Sequence, residues 1–217
     1  DYNSIPKDMI KLTNTRQLGL RAFNLSLGLN KSASELGIKN YMYYVYNSLD
    51  SNIELENIKK IDNYTMIITC LNVINPEASK DGTCILNATL YYSDDCYDKI
   101  FNETNYLKME EKIQNKIIEH IENALEINIK EFIEEFNFNT PITYSKYNNA
   151  NDGCIYGYLE SNNDSILSRV LNKDEESLIN GLRVCGSASY YGHSFESTYK
   201  NGYEIAIKTL KDIEKGE

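Results

Sequence analysis

Apolar and polar positions alternate along the first part of the chain. Ala22-Phe23-Asn24-Leu25-Ser26-Leu27-Gly28-Leu29 has the two-residue period of a half-buried strand. Tyr41-Met42-Tyr43-Tyr44-Val45-Tyr46 is aromatic and β-branched, and Asn47-Ser48 closes it with a turn signal. Residues 64–71 predict a third strand, which runs into Asn75-Pro76, and Asp81-Gly82 turns the chain into a fourth over residues 84–91. Four strands with short polar links predict an antiparallel sheet whose faces differ in polarity. The period then lengthens. Over residues 106–127, Leu107, Ile113, Ile117, Ile118, Ile121 and Leu125 mark the inner face of an amphipathic helix, and Glu110, Glu111, Lys112, Glu119 and Glu122 mark its solvated face. A shorter helix is expected next, with Ile129, Phe132, Ile133 and Phe136 inward and Thr140-Pro141 ending it. Strands followed by helices make this an α+β chain, a mostly antiparallel sheet covered by helices on one face.

The last segment has a different organisation. Gly181-Leu182-Arg183-Val184-Cys185-Gly186 reads as a short buried strand, followed by the loop Ser187-Ala188-Ser189-Tyr190-Tyr191-Gly192-His193. Phe195, Thr198, Tyr199, Gly202, Tyr203, Ala206, Ile207, Leu210 and Ile213 then fall on one helical face, with Ser194 as N-cap. A strand, a small-residue loop and a helix start form a cradle for an anion or cofactor, because the first-turn N–H groups and the positive dipole end point over the loop. A buried strand of this kind belongs to a parallel sheet with neighbouring strands. No Gly-x-Gly-x-x-Gly turn follows an earlier strand, so this strand is expected to close a sheet whose other members lie upstream. The start Asp1-Tyr2-Asn3, without Met, fits that expectation.

Composition narrows the function classes. The 217 residues are 41% hydrophobic and 25% charged, ordinary for a globular chain, and the formal charge of −10 argues against a nucleic-acid partner. No apolar run reaches the roughly 18 residues of a membrane span and no signal peptide opens the chain, so a cytoplasmic location is expected. Cys70, Cys84, Cys96, Cys154 and Cys185 include no C-x-x-C pair and only two histidines accompany them, which predicts reduced thiols and no metal site. Asn63-Tyr64-Thr65 and Asn87-Ala88-Thr89 match the glycosylation triplet, but such triplets arise by chance in an Asn-rich chain. No Ser/His/Asp or Cys/His signature marks a nucleophile, and no catalytic side chain is assigned. His193 reads as an exposed loop residue and Cys185 as a small buried one. Tyr41, Tyr43, Tyr44 and Tyr46 suit either the wall of an apolar substrate tunnel or sheet packing.

Several segments, in order, carry a resemblance. They are Leu27-Gly28-Leu29-Asn30 with Glu35-Leu36-Gly37, Met66-Ile67-Ile68-Thr69-Cys70 through Asn75-Pro76, and Thr140-Pro141-Ile142-Thr143-Tyr144. Asn151-Asp152-Gly153-Cys154-Ile155-Tyr156-Gly157 and Gly181-Leu182-Arg183-Val184-Cys185-Gly186-Ser187 through Gly202-Tyr203-Glu204-Ile205-Ala206 complete the set. Their succession resembles the C-terminal half of the FAD-dependent oxidoreductases that include phytoene desaturases, carotenoid isomerases and retinol saturases. The resemblance implies that residues 14–147 form the substrate-binding domain and residues 148–217 the C-terminal portion of a Rossmann-like FAD-binding domain, its strand-loop-helix included. It further implies FAD as cofactor, held in part by Gly186, Ser187, Ala188, Ser194, Phe195 and Glu196. The implied substrate is a long apolar polyene or lipid reached with peripheral membrane contact, and the implied partner is an N-terminal FAD-binding segment. The loop departs from the family at Ser187, His193, Ser194, Glu196 and Ser197, where an acidic or bulky residue and then glycines are usual, and each Cβ limits backbone approach to a ring. The other reading from the residues is a non-enzymatic module that binds an apolar ligand or a protein.

Overall fold

The computed structural model describes residues 14–60, 62–93, 106–159, 181–187, 189 and 194–216, together with Ile5, Lys7 and Ile10. The chain divides into two compact units, Leu20–Ile155 and the pair Asp1–Gly19 with Tyr156–Glu217.

The unit Leu20–Ile155 is built on five strands: β1 (Arg21–Leu29), β2 (Met42–Val45), β3 (Met66–Cys70), β4 (Cys84–Tyr92) and β5 (Ile133–Asn139). They run in the order β2-β3-β4-β1-β5, and every neighbouring pair is antiparallel. The four strands expected from alternation are all present. Phe23, Leu25, Leu27 and Leu29 of β1 are buried, while Asn24, Ser26 and Gly28 between them are only half buried. The same two-residue rhythm runs through β3 and β4. Helices α1 (Ser51–Asn57), α2 (Tyr106–Leu125) and α3 (Pro141–Asn148) complete this unit. Met109, Ile113, Ile117, Ile118 and Ile121 of α2 join the buried strand residues in one cluster, as their three- and four-residue spacing requires. Phe23 anchors it, with its ring edge-on to Tyr92 at 5.0 Å and stacked on Phe138 at 5.5 Å.

Three local expectations need correction. Residues 133–139 form a strand instead of a helix. Phe136 and Phe138 satisfy a two-residue period as well as Ile129, Phe132, Ile133 and Phe136 satisfy a helical one, and pairing with β1 covers an edge that would otherwise be open. Thr140-Pro141 starts a helix rather than ending one: Thr140 is the N-cap of α3, and Pro141 sits in the first turn, where its missing N–H is not needed. On α2, Leu107 is exposed and Met109 takes the inner position, while Glu122, expected in solvent, accepts the N–H groups of Ile129 (2.8 Å) and Lys130 (3.0 Å).

His120 of α2 lies against Tyr64 with ring centroids 3.8 Å apart. Burial holds its imidazole below the ordinary 6.5, with Glu119 pulling upward and Lys116 downward. The unfolded chain therefore takes up this proton at a higher pH than the folded one. The stability His120 supports is complete above about pH 6.5 and falls as pH drops from there toward the folded pKa. Urea unfolding of wild type and His120→Gln from about pH 7.5 to 5.5 should show the wild type losing stability more steeply, and equal slopes would refute this assignment.

In the unit Asp1–Gly19 with Tyr156–Glu217, an isolated bridge pairs Leu18 with Tyr158, and the Gly19 N–H donates to the Gly157 carbonyl at 2.8 Å. A Cβ on Gly19 would fall 1.7 Å from the Tyr156 carbonyl oxygen, so only glycine permits this approach. The unit also contains the 21-residue helix α4 (Phe195–Lys215). Among the described residues, no helix of the chain is long and apolar enough to cross a membrane.

Candidate functional site

Helix α4 starts where its sequence says it should. The Ser194 hydroxyl accepts the Ser197 N–H at 3.0 Å, and Thr198 donates from its side chain to the Ser194 carbonyl at 2.9 Å. The amides of Phe195 and Glu196 lie in the first turn, where no intrahelical acceptor exists. At the other end Gly216 closes the helix in the left-handed conformation, with φ of 75°.

Two contacts tie the preceding segment to this helix. The Gly186 N–H donates to Asn201 Oδ1 at 2.9 Å, and Asn201 is fully buried. Three turns further along, Arg183 donates through Nε to Asp212 Oδ2 at 2.9 Å and adds a second bond from Nη2. Residues 183–186 thus run antiparallel to α4 and reach its N-terminal half at Gly186. There the backbone turns, with Gly186 at φ of 96° and the Ser189 N–H donating to the Gly186 carbonyl at 3.1 Å. A Cβ built on Gly186 would meet nothing within 4 Å, so the turn is open on that side. The Ser189 side chain is buried, and its hydroxyl has no hydrogen-bond partner among the described residues.

The site residues expected from sequence distribute unevenly. Gly186 and Ser187 form the turn, and Ser194, Phe195 and Glu196 form the helix start with all three exposed. Ala188 and His193 lie outside the described residues. Residues 181–186 do not form the expected strand: they enter no ladder among the described residues, and Leu182, Val184 and Cys185 are exposed rather than buried. A strand needs a neighbour to satisfy its backbone groups, and no described segment pairs with this one. The apolar face expected to be inward on α4 is also reversed. Asn201 and Ile205 are its buried residues, while Phe195, Tyr199, Tyr203, Leu210 and Ile213 stand in solvent on the opposite side. Arg183, Asn201, Asp212 and Ser189 were not anticipated. None of the four carried a signal: Asn201, beside Lys200 and Glu204, reads as one more polar residue of an amphipathic helix.

A second candidate surface lies in the unit Leu20–Ile155. Tyr41, Tyr44 and Tyr46 are about half exposed, and the rings of Tyr44 and Tyr46 stack at 6.3 Å. Tyr43 instead turns back, its hydroxyl accepting the N–H groups of Lys39 (3.0 Å) and Asn40 (2.9 Å). Beside Tyr46 a groove of about 470 Å³ is lined by Leu49, Leu55 and Ile58, with Ser48, Ser51 and Glu54. Glu54 is already committed: it accepts from Ser48 N at 2.8 Å, Asn57 Nδ2 at 3.1 Å and the Thr65 hydroxyl. Burial pushes its carboxyl upward, but these hydrogen bonds outweigh it and hold the group below the ordinary carboxylate range. The groove therefore offers mainly hydrocarbon and ring surface to a ligand.

Compared with protein-family models and with curated proteins, the sequence matches none.

Proposed function

We propose that this chain is part of an FAD-dependent oxidoreductase that acts on a long apolar substrate. Residues 14–147 serve as the substrate-binding portion and residues 148–217 as the C-terminal portion of the flavin-binding layer. The supporting observation is the apolar stripe Phe195-Tyr199-Tyr203-Leu210-Ile213, left in solvent on a well-capped helix whose other face is packed. Exposed stripes of this kind are interaction surfaces. Together with the exposed Leu182 and Val184, it is what a layer looks like when its remaining strands and helices are supplied by another segment.

The residues present at the start of α4 fit such a cofactor. The first-turn amides of Phe195 and Glu196 can donate to an electron-rich ring edge, the Gly186 turn is open, and the buried Ser189 hydroxyl lacks a partner among the described residues. Bound flavin supplies hydride or electron transfer, and the protein positions and tunes it. Asn201 holds the turn against the helix, Arg183 and Asp212 fix the approach of the preceding segment, and Tyr46, Leu49, Leu55 and Ile58 give the substrate an open apolar wall. No nucleophilic side chain is required. A cytoplasmic protein with peripheral membrane contact suits a substrate of this kind.

The test is flavin retention. The natural gene product that contains this sequence should purify yellow, and Phe195→Asp or Asn201→Leu should lower its flavin content by roughly tenfold or more with the circular dichroism unchanged. A colourless product, or folded variants with full flavin content, would overturn the reading. The unit Leu20–Ile155 holds one contiguous buried core cluster and an apolar groove of its own, which favours a non-enzymatic apolar-ligand module as the second reading. A colourless gene product that still binds an apolar fluorescent probe, with loss on Leu55→Asp, would support it.

A further inference from the structure

Cys70 ends β3 and Cys84 begins β4. The register pairs Cys70 with Leu86, so Cys84 lies two residues along on the same face of the sheet. Both residues are buried in the core, on the same face of adjacent strands. Between them residues 71–83 form two single 3₁₀ turns, Leu71–Val73 and Pro76–Ala78, and a bend at Gly82 with φ of 76°. This connection supplies Asn72, Val73, Pro76, Lys80, Asp81 and Thr83 to the wall of a cavity of about 340 Å³.

We propose that Cys70 and Cys84 form a reversible disulfide that clamps the β3–β4 connection and the cavity it walls. The two thiols are unequal. Hydrogen bonds from Cys84 and from the Asn72 and Val73 amides, working against burial, hold the Cys70 thiol below its ordinary value, while the bond to Cys70 and burial push Cys84 up. Cys70 is thus the attacking thiolate and Cys84 the resolving thiol. With hydrogen peroxide as oxidant, the Cys70 sulfur attacks one peroxide oxygen, the O–O bond breaks, and a sulfenic acid and one water result. The Cys84 sulfur then attacks the Cys70 sulfur, the S–O bond breaks, and the hydroxyl leaves with the Cys84 proton as a second water. Two thiols and one peroxide become one disulfide and two waters. Access requires opening of residues 71–83, the irregular stretch between the pair.

The folded protein is treated with hydrogen peroxide, alkylated, digested without reductant and mapped by mass spectrometry. The expected result is one linked peptide pair joining Cys70 to Cys84, released by dithiothreitol, with slower amide exchange over residues 71–83 and a raised thermal midpoint. Cys70→Ser should abolish the linked pair and leave Cys84 alkylated on denaturation; Cys84→Ala serves the same purpose if the first variant does not fold. Recovery of both residues as free thiols from oxidised wild type, or linkage of either to Cys96, Cys154 or Cys185, overturns the proposal.

Discussion

Gly153→Ala should lower the unfolding free energy by about 3 kcal/mol or more. Gly153 has φ of 68°, where any Cβ is strained, and a Cβ there would sit 2.1 Å from the Pro141 carbonyl oxygen and 2.6 Å from Pro141 C and Cα. None of those atoms can swing away. Pro141 lies in the first turn of α3 with its φ fixed by the ring, and the cap at Thr140 holds the residue before it. The neighbourhood is already strained, because Asn149 and Asp152 also adopt positive φ without being glycine. Gly82→Ala is the control: its φ is 76°, but nothing lies within 4 Å of the added Cβ, so it should cost only about 1 kcal/mol. Urea unfolding of both variants measures the difference, and similar losses would show that steric contact with Pro141 is unimportant.

The second large effect is expected at Thr140, a fully buried residue at the junction of β5 and α3. Its Oγ1 lies 2.6 Å from the Tyr106 hydroxyl and accepts the Thr143 N–H, while Thr143 Oγ1 accepts the Thr140 N–H at 3.1 Å. Thr140→Val keeps the shape but removes the cap and strands the Tyr106 hydroxyl, together worth about 2–4 kcal/mol. Burial, reinforced by Glu110, pushes the Tyr106 phenol well above its ordinary value, so it remains a neutral hydrogen-bonding group across the working pH range. Tyr106→Phe combined with Thr140→Val should recover part of the loss, because neither hydroxyl is then left alone; a coupling near about 1 kcal/mol is expected. Thr140→Ser should stay close to wild type. Strict additivity in the cycle would mean that the 2.6 Å contact contributes nothing.

Which parts of this fold were legible follows from the range of the forces involved. β1, β3 and β4 declare themselves through local alternation, and α2 and α4 through local helical spacing, since each pattern is complete within one element. β5 was not legible. Its apolar residues fit either period, and what decides between them is the edge of β1, a hundred residues earlier. Gly19 and Gly153 could not be read as close-approach positions, because the atoms they must clear belong to Tyr156 and Pro141. Ser194 as N-cap was readable from the helix start alone. Asn201, which holds the Gly186 turn, acts only once the chain has folded back on the helix. The inward face of α4 was assigned from hydrophobicity, which identifies an apolar stripe but not the partner that covers it.

The position of β1 between β4 and β5 has a cost during translation. This interior strand is made before the other four, and its neighbours are Cys84–Tyr92 and Ile133–Asn139. At roughly 5–20 residues per second, on the order of ten seconds pass between completion of β1 and arrival of its second partner. Until β4 arrives, Phe23, Leu25, Leu27 and Leu29 form a sticky ribbon with both backbone edges open, and the edge that β5 will cover stays open for the whole interval. Nascent chains of this protein should therefore engage holdase chaperones early, and a permutant in which β1 is made after β4 should depend on them less.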